Sequence, residues 1–336
     1  MSEPLLSICL PTRNSVSFLE PRLRSILNQT FDDWHLVVVD TASTDGTLEM
    51  IRDLIPEAKR TIWAAGPGMY QAWNLSASYA TGELLHFATS DDCEAPSFYE
   101  KLVSIYRATN CDLVHSLWEA IDEQGRKIKM PIQPVDRLFG CVPGRIYRKD
   151  PVANFFANLL LSTTPGPSNA ALIKRELFSR YGGIPFKYGP IADRGWYLRA
   201  SLSATTYCLD EVLASWRVRE GQATISYGRF NFYRNEAAIM PDTLDQMRSD
   251  LENADLTEAQ RAFVASFAAR NRRLVASKRT FLLKLALLYP DKLIHAVTKL
   301  LGPNYAPLWY SRWKVNSLLS GKEPCIPLPE LAAQLE

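Results

Sequence analysis

The sequence predicts an α/β fold around a mostly parallel sheet, followed by a helical C-terminal extension. Three observations carry that prediction. Apolar, strand-like runs alternate with amphipathic helical stretches through the first hundred residues. Two of the runs lead into acidic residues, at Asp40 and at Asp91–Asp92. From about Tyr227 the pattern turns helical.

The elements follow in order. "LLSICL" (5–10) reads as a buried strand, and Ser15 to Gln29 as a helix with Leu19, Leu23, Ile26 and Leu27 on one face. "WHLVVVD" (34–40) is a β-branched strand. Ser43, Thr44 or Asp45 is placed to cap the next helix, where Leu48, Ile51 and Ile55 share a face. "RTIW" (60–63) is a short strand, a helix starts near Met69, and "LLHFA" (84–88) is the next strand. Such alternation implies parallel strands with right-handed crossovers, and ligands of such sheets bind at the carboxyl ends of the strands. Asp40 and the Asp91–Asp92 pair therefore converge where this fold receives its ligand. Further on, "DLVHSLWEAIDEQGRKIKM" predicts a hairpin through Glu123–Gly125, and Arg145, Arg148 and Lys149 read either as a phosphate contact or, the favoured reading, as a solvated face.

Bulk properties exclude several classes. The 336 residues are 47% hydrophobic and 22% charged with net charge +2, ordinary values for a globular protein. No stretch nears the roughly 20 apolar residues of a membrane span, and "MSEPLLSICLPTRN" lacks signal-peptide character. Six cysteines (9, 93, 111, 141, 208, 325) without a CxxC pair favour reduced thiols in a cytoplasm. Four histidines and no HExxH argue against a histidine-built metal centre. Charge is uneven along the chain: residues 270–322 hold eleven Lys or Arg against the single acid Asp291. Leu282, Leu285 and Leu288 sit among those cations, with Trp309, Tyr310 and Trp313 beside Arg312 and Lys314. That pattern suits a helix on an anionic membrane surface, or else leucines that pack on the body or on a second copy. The expected location is cytoplasmic, or peripheral on the cytoplasmic face of the inner membrane.

Two adjacent carboxylates need a counter-charge or open solvent. "LPTRNSVSF" has no glycine for a dinucleotide fingerprint, no GxxxxGK[ST] occurs, and the loop from Asp40 to Ile51 lacks the Gly and Glu of a calcium site. A divalent cation, Mg²⁺ or Mn²⁺, held by carboxylates together with substrate phosphates fits the remaining chemistry. The alternative is a cap for a helix starting at Pro96.

"SICLPTRNSVSFLEPRLRSILNQTFDDWHLVVVDTASTDGT" and "GPGMYQAWNLSASYATGELLHFATSDD" resemble the opening of the family-2 glycosyltransferases, inverting enzymes of GT-A fold. The resemblance implies a nucleotide-sugar-binding sandwich and a nucleoside-diphosphate sugar donor. It places Pro11, Thr12, Arg13, Asn14 and Asp40 at the base and ribose, Asp91 at the ribose or the metal, and Asp92 on the metal. "SNAALIKRELFSRYGGIPFKYGPIADRGWYLRA" (168–200) resembles the family's acceptor-side block, which makes Asp193 the base. "SWRVREGQATIS" (215–226) resembles its closing strand and loop; Arg217, Gly221 and Gln222 match, and Arg219 stands where many relatives carry a histidine. Arg219 is then a diphosphate contact or a surface arginine balanced by Glu220. Thr41 and Ser90 also depart from common family acids. Tyr70, Trp73 and Asn74, on the helix from Met69, are candidates for donor contact, with packing favoured for Tyr70 and Trp73.

The expected organisation is a catalytic domain over 1–226, with a nucleotide-binding half to about 110 and an acceptor-side half from 111, then a basic helical extension over 227–336. The expected activity is metal-dependent, inverting transfer of a sugar to a polysaccharide or lipid-linked oligosaccharide. A sugar-phosphate nucleotidyltransferase and a non-catalytic nucleotide-sugar-binding protein are the alternatives. No nucleic-acid module is legible.

Overall fold

The computed structural model of the chain describes residues 3–66, 68–129, 144–161, 163–222, 229–276, 317–319 and 324–335. Strands β1 (Leu6–Thr12), β2 (Trp34–Asp40), β3 (Arg60–Ala64) and β4 (Leu84–Phe87) alternate with helices α1 (Val16–Leu27), α2 (Thr47–Leu54) and α3 (Met69–Tyr79). These strands lie side by side in the order β4-β1-β2-β3, all parallel. Thr12 is in register with Asp40, so β1 and β2 end together. Every residue of β1 is buried, as a sheet covered on both faces requires. The apolar face of α1 buries Leu19, Leu23 and Ile26, while Leu27 turns outward and is exposed. The helix after β2 begins at Gly46 in the left-handed region (φ 94°), with no side-chain cap from Ser43 or Thr44.

The second half is of mixed direction. Strands β5 (Cys93–Glu94), β6 (Leu113–Ile121), β7 (Lys127–Ile128), β8 (Ile146–Lys149), β9 (Ala171–Lys174) and β10 (Thr206–Arg217) join the same sheet, with helices α4 (Phe98–Thr109), α5 (Pro151–Leu160), α6 (Arg175–Tyr181) and α7 (Asp193–Ala200) between them. Strand β9 is antiparallel to both neighbours, β4 and β6, and β6 pairs with β10 in parallel. Two reversals cancel, so β1, β2, β3, β4, β6 and β10 all run the same way. The ends of β1, β2 and β10, and the chain leaving β4, therefore share one edge of the sheet. The antiparallel members are short, and most paired residues belong to parallel ladders. The predicted hairpin joins β6 to β7, with the Asp122 N–H donating to the Arg126 carbonyl over 2.9 Å.

C-terminal to β10, α8 (Arg229–Gln246), α9 (Arg248–Asn253) and α10 (Glu258–Ala276) pack on the second half. Ile239, Met240, Leu244, Met247, Val264 and Phe267 share one core with Phe155, Phe156 and Trp196. Burying a large apolar side chain contributes roughly 1.5–3 kcal/mol, so these helices are held to the body by a shared core. Leu318 and Leu319 enter that same core, and β11 (Cys325–Pro327) adds to the sheet beside β8, ahead of α11 (Pro329–Leu335). Most of the basic stretch 270–322 lies outside the described residues; its described ends pack inward through Asn271, Leu274, Leu318 and Leu319. Among the described residues no helix is long and apolar enough to cross a membrane. Of the cation trio, Arg145 and Arg148 are exposed as expected, but Lys149 is buried on β8. Cys9, Cys93, Cys111 and Cys208 are free thiols.

Candidate active site

The loops after β1 and β2 are laced together around Asp40. This carboxylate is buried and accepts from Thr12 Oγ1 at 2.8 Å, from Ser43 N at 2.9 Å and from Ser43 Oγ at 2.6 Å. Asn14 N donates to Ser43 Oγ over 2.8 Å, and Asn14 Oδ1 accepts from Thr44 N over 2.9 Å. Asn14 (φ 46°) and Ala42 (φ 63°) both occupy the left-handed region, which is costly for Ala. Pro11 and Thr12 belong to β1 and are buried; Arg13 and Asn14 face solvent above them. Asp45 ties the two loops, accepting from Val16 N and from Thr47 N at 3.1 Å each. Cross-strand register thus brings Pro11, Thr12, Arg13, Asn14 and Asp40 together.

Asp91 and Asp92 follow β4 at the same edge, and both are buried. They cap no helix, because α4 starts only after Ser97 and β5 intervenes. Asp92 Oδ2 accepts from Thr89 Oγ1 at 2.6 Å, and Asp92 Oδ1 accepts from the backbone N–H of Arg217 at 2.6 Å. Burial above all, and then the neighbouring Asp91, push the Asp92 carboxyl up to about 8. Asp91 Oδ2 accepts from Arg219 Nε at 2.8 Å. The partner of Arg219 is therefore Asp91; the Glu220 backbone turns instead to Glu123. Arg217, buried at the end of β10, donates through Nε to the Asp91 carbonyl at 2.7 Å and through Nη1 to the carbonyls of Asp122 and Glu123. Ser90 Oγ meets Ser15 Oγ at 3.1 Å, which ties this loop to the one after β1.

Beneath the acid pair lies a network the sequence did not disclose. Arg22 of α1, fully buried, is ion-paired to Glu94 and reaches the Asp92 carbonyl at 3.4 Å. Asn169 Nδ2 donates to Glu94 Oε1 and to the Ser215 carbonyl, both at 3.1 Å. His86 Nε2 is 3.6 Å from Glu94, yet burial and the nearby Arg22 cation keep its pKa well below the ordinary value. That contact is therefore not an ion pair. One signal was readable: Arg22 stands three residues after Leu19, on the helix face that buries Leu19, Leu23 and Ile26. An arginine there needs a buried acid.

Asp193 opens α7 and is held from three sides. Its Oδ1 accepts from Tyr70 OH at 3.1 Å and from Arg194 N at 3.0 Å, and its Oδ2 from Ser168 Oγ at 3.3 Å. Burial raises its pKa, and the three donors oppose that rise. Two short pieces of chain join it to the acid pair. On α3, Tyr70 bonds Asp193 while Trp73 Nε1 donates to the Ala88 carbonyl at 2.8 Å, just ahead of the acid loop. On the 3-10 turn Ser168–Ala170, Ser168 bonds Asp193 while Asn169 bonds Glu94. Asn74 brackets Ile184, accepting from its N–H at 2.8 Å and donating to its carbonyl at 2.9 Å. Tyr70 and Trp73 do pack as expected, and their polar atoms also fix the site.

The arrangement offers a hydrogen-bonded wall around Asp40, a carboxylate pair with a flanking arginine, and a separate buried carboxylate. Among the described residues no cluster of three or more His, Cys, Asp or Glu forms a self-contained metal cage. Asp91 and Asp92 nonetheless suit a cation that takes its other ligands from a substrate. Asp92 has one donor on each oxygen, which leaves acceptor capacity, and burial beside Asp91 disfavours its charged form, a cost that a cation offsets.

Comparison with known proteins identifies the family and the type of fold. The family model described as "Glycosyl transferase family 2" matches residues 7–182. An uncharacterized glycosyltransferase of Haemophilus influenzae is 30% identical over 133 residues, covering 39% of this chain and 53% of that protein. A PGL/p-HBAD biosynthesis glycosyltransferase of Mycobacterium bovis is 28% identical over 221 residues, covering 64% of this chain and 78% of the relative. The chain thus spans about half the length of the Haemophilus relative it matches. The crystal structure of S. aureus TarS 1–349 in complex with UDP superposes with TM-score 0.58 at 19% identity, covering 87% of this chain and 78% of that one. This likeness shows that the fold is of that type.

Proposed function

Because the chain belongs to glycosyl transferase family 2, we propose that it is a metal-dependent, inverting glycosyltransferase. It moves a sugar from a nucleoside-diphosphate sugar to a glycan or lipid-linked acceptor. The observation that carries this reading is the joining of buried Asp193 to the Asp91–Asp92 loop through α3 and the Ser168–Asn169 turn.

Each part of the site has a role in that chemistry. Pro11, Thr12, Arg13, Asn14 and Asp40 receive the base and ribose, with Asp40 already oriented as an acceptor by Thr12 and Ser43. Asp92, assisted by Asp91, holds Mn²⁺ or Mg²⁺, which when bound offsets the charge of the donor diphosphate. Arg219 donates through Nε to Asp91 and, in this reading, pairs with the diphosphate through its terminal nitrogens. Asp193 takes the proton of the acceptor hydroxyl as that oxygen bonds to the anomeric carbon. The bond from that carbon to the phosphate oxygen breaks, its electron pair leaves with the nucleoside diphosphate, and configuration inverts. Hydrogen bonds from Tyr70 and Ser168 keep Asp193 ionised against the cost of burial. The C-terminal helices share a core with the catalytic domain read at 1–226.

The test is a panel of UDP- and GDP-sugars with and without Mn²⁺, reading thermal stabilisation and release of nucleoside diphosphate. The expected result is stabilisation by one nucleotide class that depends on Mn²⁺, with slow release of its diphosphate. Binding without any turnover of donor, with acceptor extracts present, would favour a nucleotide-sugar-binding protein. Formation of a nucleotide sugar from a sugar phosphate would favour a nucleotidyltransferase.

A further inference from the structure

Three consecutive residues, Asp193, Arg194 and Gly195, look in different directions. Asp193 faces Tyr70 and Ser168, whereas the next two residues face α8. The Arg194 guanidinium is ion-paired to Glu236 of α8, with side chains only 10% and 7% exposed. Its Nη2 also reaches the Asn158 carbonyl at 3.4 Å. Gly195 has no room for a side chain: a Cβ there would meet Ile239 Cδ1 at 2.8 Å and Thr243 Oγ1 at 3.0 Å. The segment leading into α7 is strapped to the same helix. Asn235 Nδ2 donates to the Tyr188 carbonyl at 2.9 Å, and Asp242 binds Lys187 at 2.9 Å and also the Tyr188 hydroxyl.

We propose that α8 is a positioning element of the catalytic site: through Glu236–Arg194 and the close approach at Gly195 it sets where Asp193 stands and what charge it feels. This rests on the reading of Asp193 as the base. The link is short, because the Arg194 N–H donates to Asp193 while its guanidinium is held by Glu236. The groups that act on Asp193 are Tyr70 from α3, Tyr197 and, at a distance, the Arg194 guanidinium from α7, and the Ser168 hydroxyl. Among them Arg194 alone is cationic, and Glu236 of α8 balances it. A buried pair broken on one side leaves an uncompensated charge. Loss of Glu236 exposes Asp193 to a bare cation, and loss of Arg194 exposes it to a bare anion.

The experiment uses the full chain labelled with ¹³C at aspartate Cγ, the Asp193 resonance being the one lost in Asp193→Asn. Glu236→Gln is expected to lower the Asp193 pKa and Arg194→Met to raise it, each by about one unit. Arg194→Met/Glu236→Met, which removes both charges, is expected to return it near the wild-type value. Donor turnover in Glu236→Gln, read as UDP or GDP release, should fall about tenfold with unchanged KM for the donor, because binding is made elsewhere. Should Glu236→Gln be too unstable to titrate, the comparison is read between Arg194→Met and the double variant. Shifts of one sign in both single variants, or none, overturn the proposal and leave α8 to packing. Full turnover in Asp193→Asn overturns the base assignment instead, and the titration still decides the coupling.

Discussion

Arg219 Nε lies 2.8 Å from Asp91 Oδ2, and the same guanidinium rests over the Phe18 ring at 4.9 Å from its centroid. The pair is partly sheltered, with side chains 29% and 12% exposed. It sits beside Asp92, whose carboxylate is bonded to a threonine hydroxyl and a backbone N–H rather than to a cationic side chain among the described residues. One arginine therefore answers half of the acid pair. The other half is where the proposed cation would sit.

Arg219→Ala should weaken UDP or GDP binding in the presence of Mn²⁺ by about tenfold in titration calorimetry, the scale of one charge-assisted contact. Arg219→Lys should recover only part of the loss, since one ammonium cannot reproduce the planar fork between Asp91 and a phosphate. Unchanged affinity in both variants would remove Arg219 from the donor site.

Asp92→Asn should abolish stabilisation by Mn²⁺ and donor turnover together. Without metal it should raise thermal stability at pH 8. Burial, then Asp91, lift this carboxyl from 3.8 to about 8, so the folded state holds its proton more tightly than the unfolded state. Stability is therefore fullest below about pH 4 for this group and declines as pH rises toward 8. The asparagine has no such decline, and each kcal/mol regained is worth roughly 2–4 °C in Tm. A variant melting lower than wild type at pH 8 would contradict this account.

Asp193→Asn keeps shape and hydrogen bonding but cannot take a proton. Donor binding should persist while transfer falls roughly 10² to 10⁴-fold. The product should carry inverted anomeric configuration, read by NMR of the new linkage.

Tyr70→Phe removes a hydrogen bond that favours ionised Asp193. The Asp193 pKa, already raised by burial, should rise further, and the acid limb of the pH–rate profile should move to higher pH by about one unit. A profile that keeps its limb while the rate drops would assign Tyr70 to packing alone.

Residues 270–322 hold eleven Lys or Arg against one acid, and binding to anionic vesicles at low salt with release at high salt is the expected outcome. Truncation is a poor probe, because Leu274, Leu318 and Leu319 are buried and β11 belongs to the sheet. Neutralising Lys284, Lys292 and Lys299 to Gln should reduce sedimentation with the vesicles. Equal sedimentation with neutral and anionic vesicles would exclude an electrostatic surface.

The amino-acid sequence by itself determined the repeating β-α units, the strand ends at Asp40 and before Asp91, and the helix from Met69. These rest on local periodicity, which is written along the chain. Spaced motifs also made the family legible, since Pro11 to Asn14, Asp40, Asp91–Asp92 and Asp193 could be picked out one block at a time. Tertiary structure decided how those blocks meet. Residues 70 and 193, or 22 and 94, carry no mutual signal in sequence, yet the packing of α3 near α7 and of α1 on β5 joins them. The same holds for Arg219, whose neighbour along the chain is Glu220 but whose partner is Asp91, because β10 ends beside the loop after β4. The return of the chain as β11 was hidden for a similar reason. A three-residue strand has too few residues to show a period, and only the open edge of β8 gives it hydrogen-bond partners.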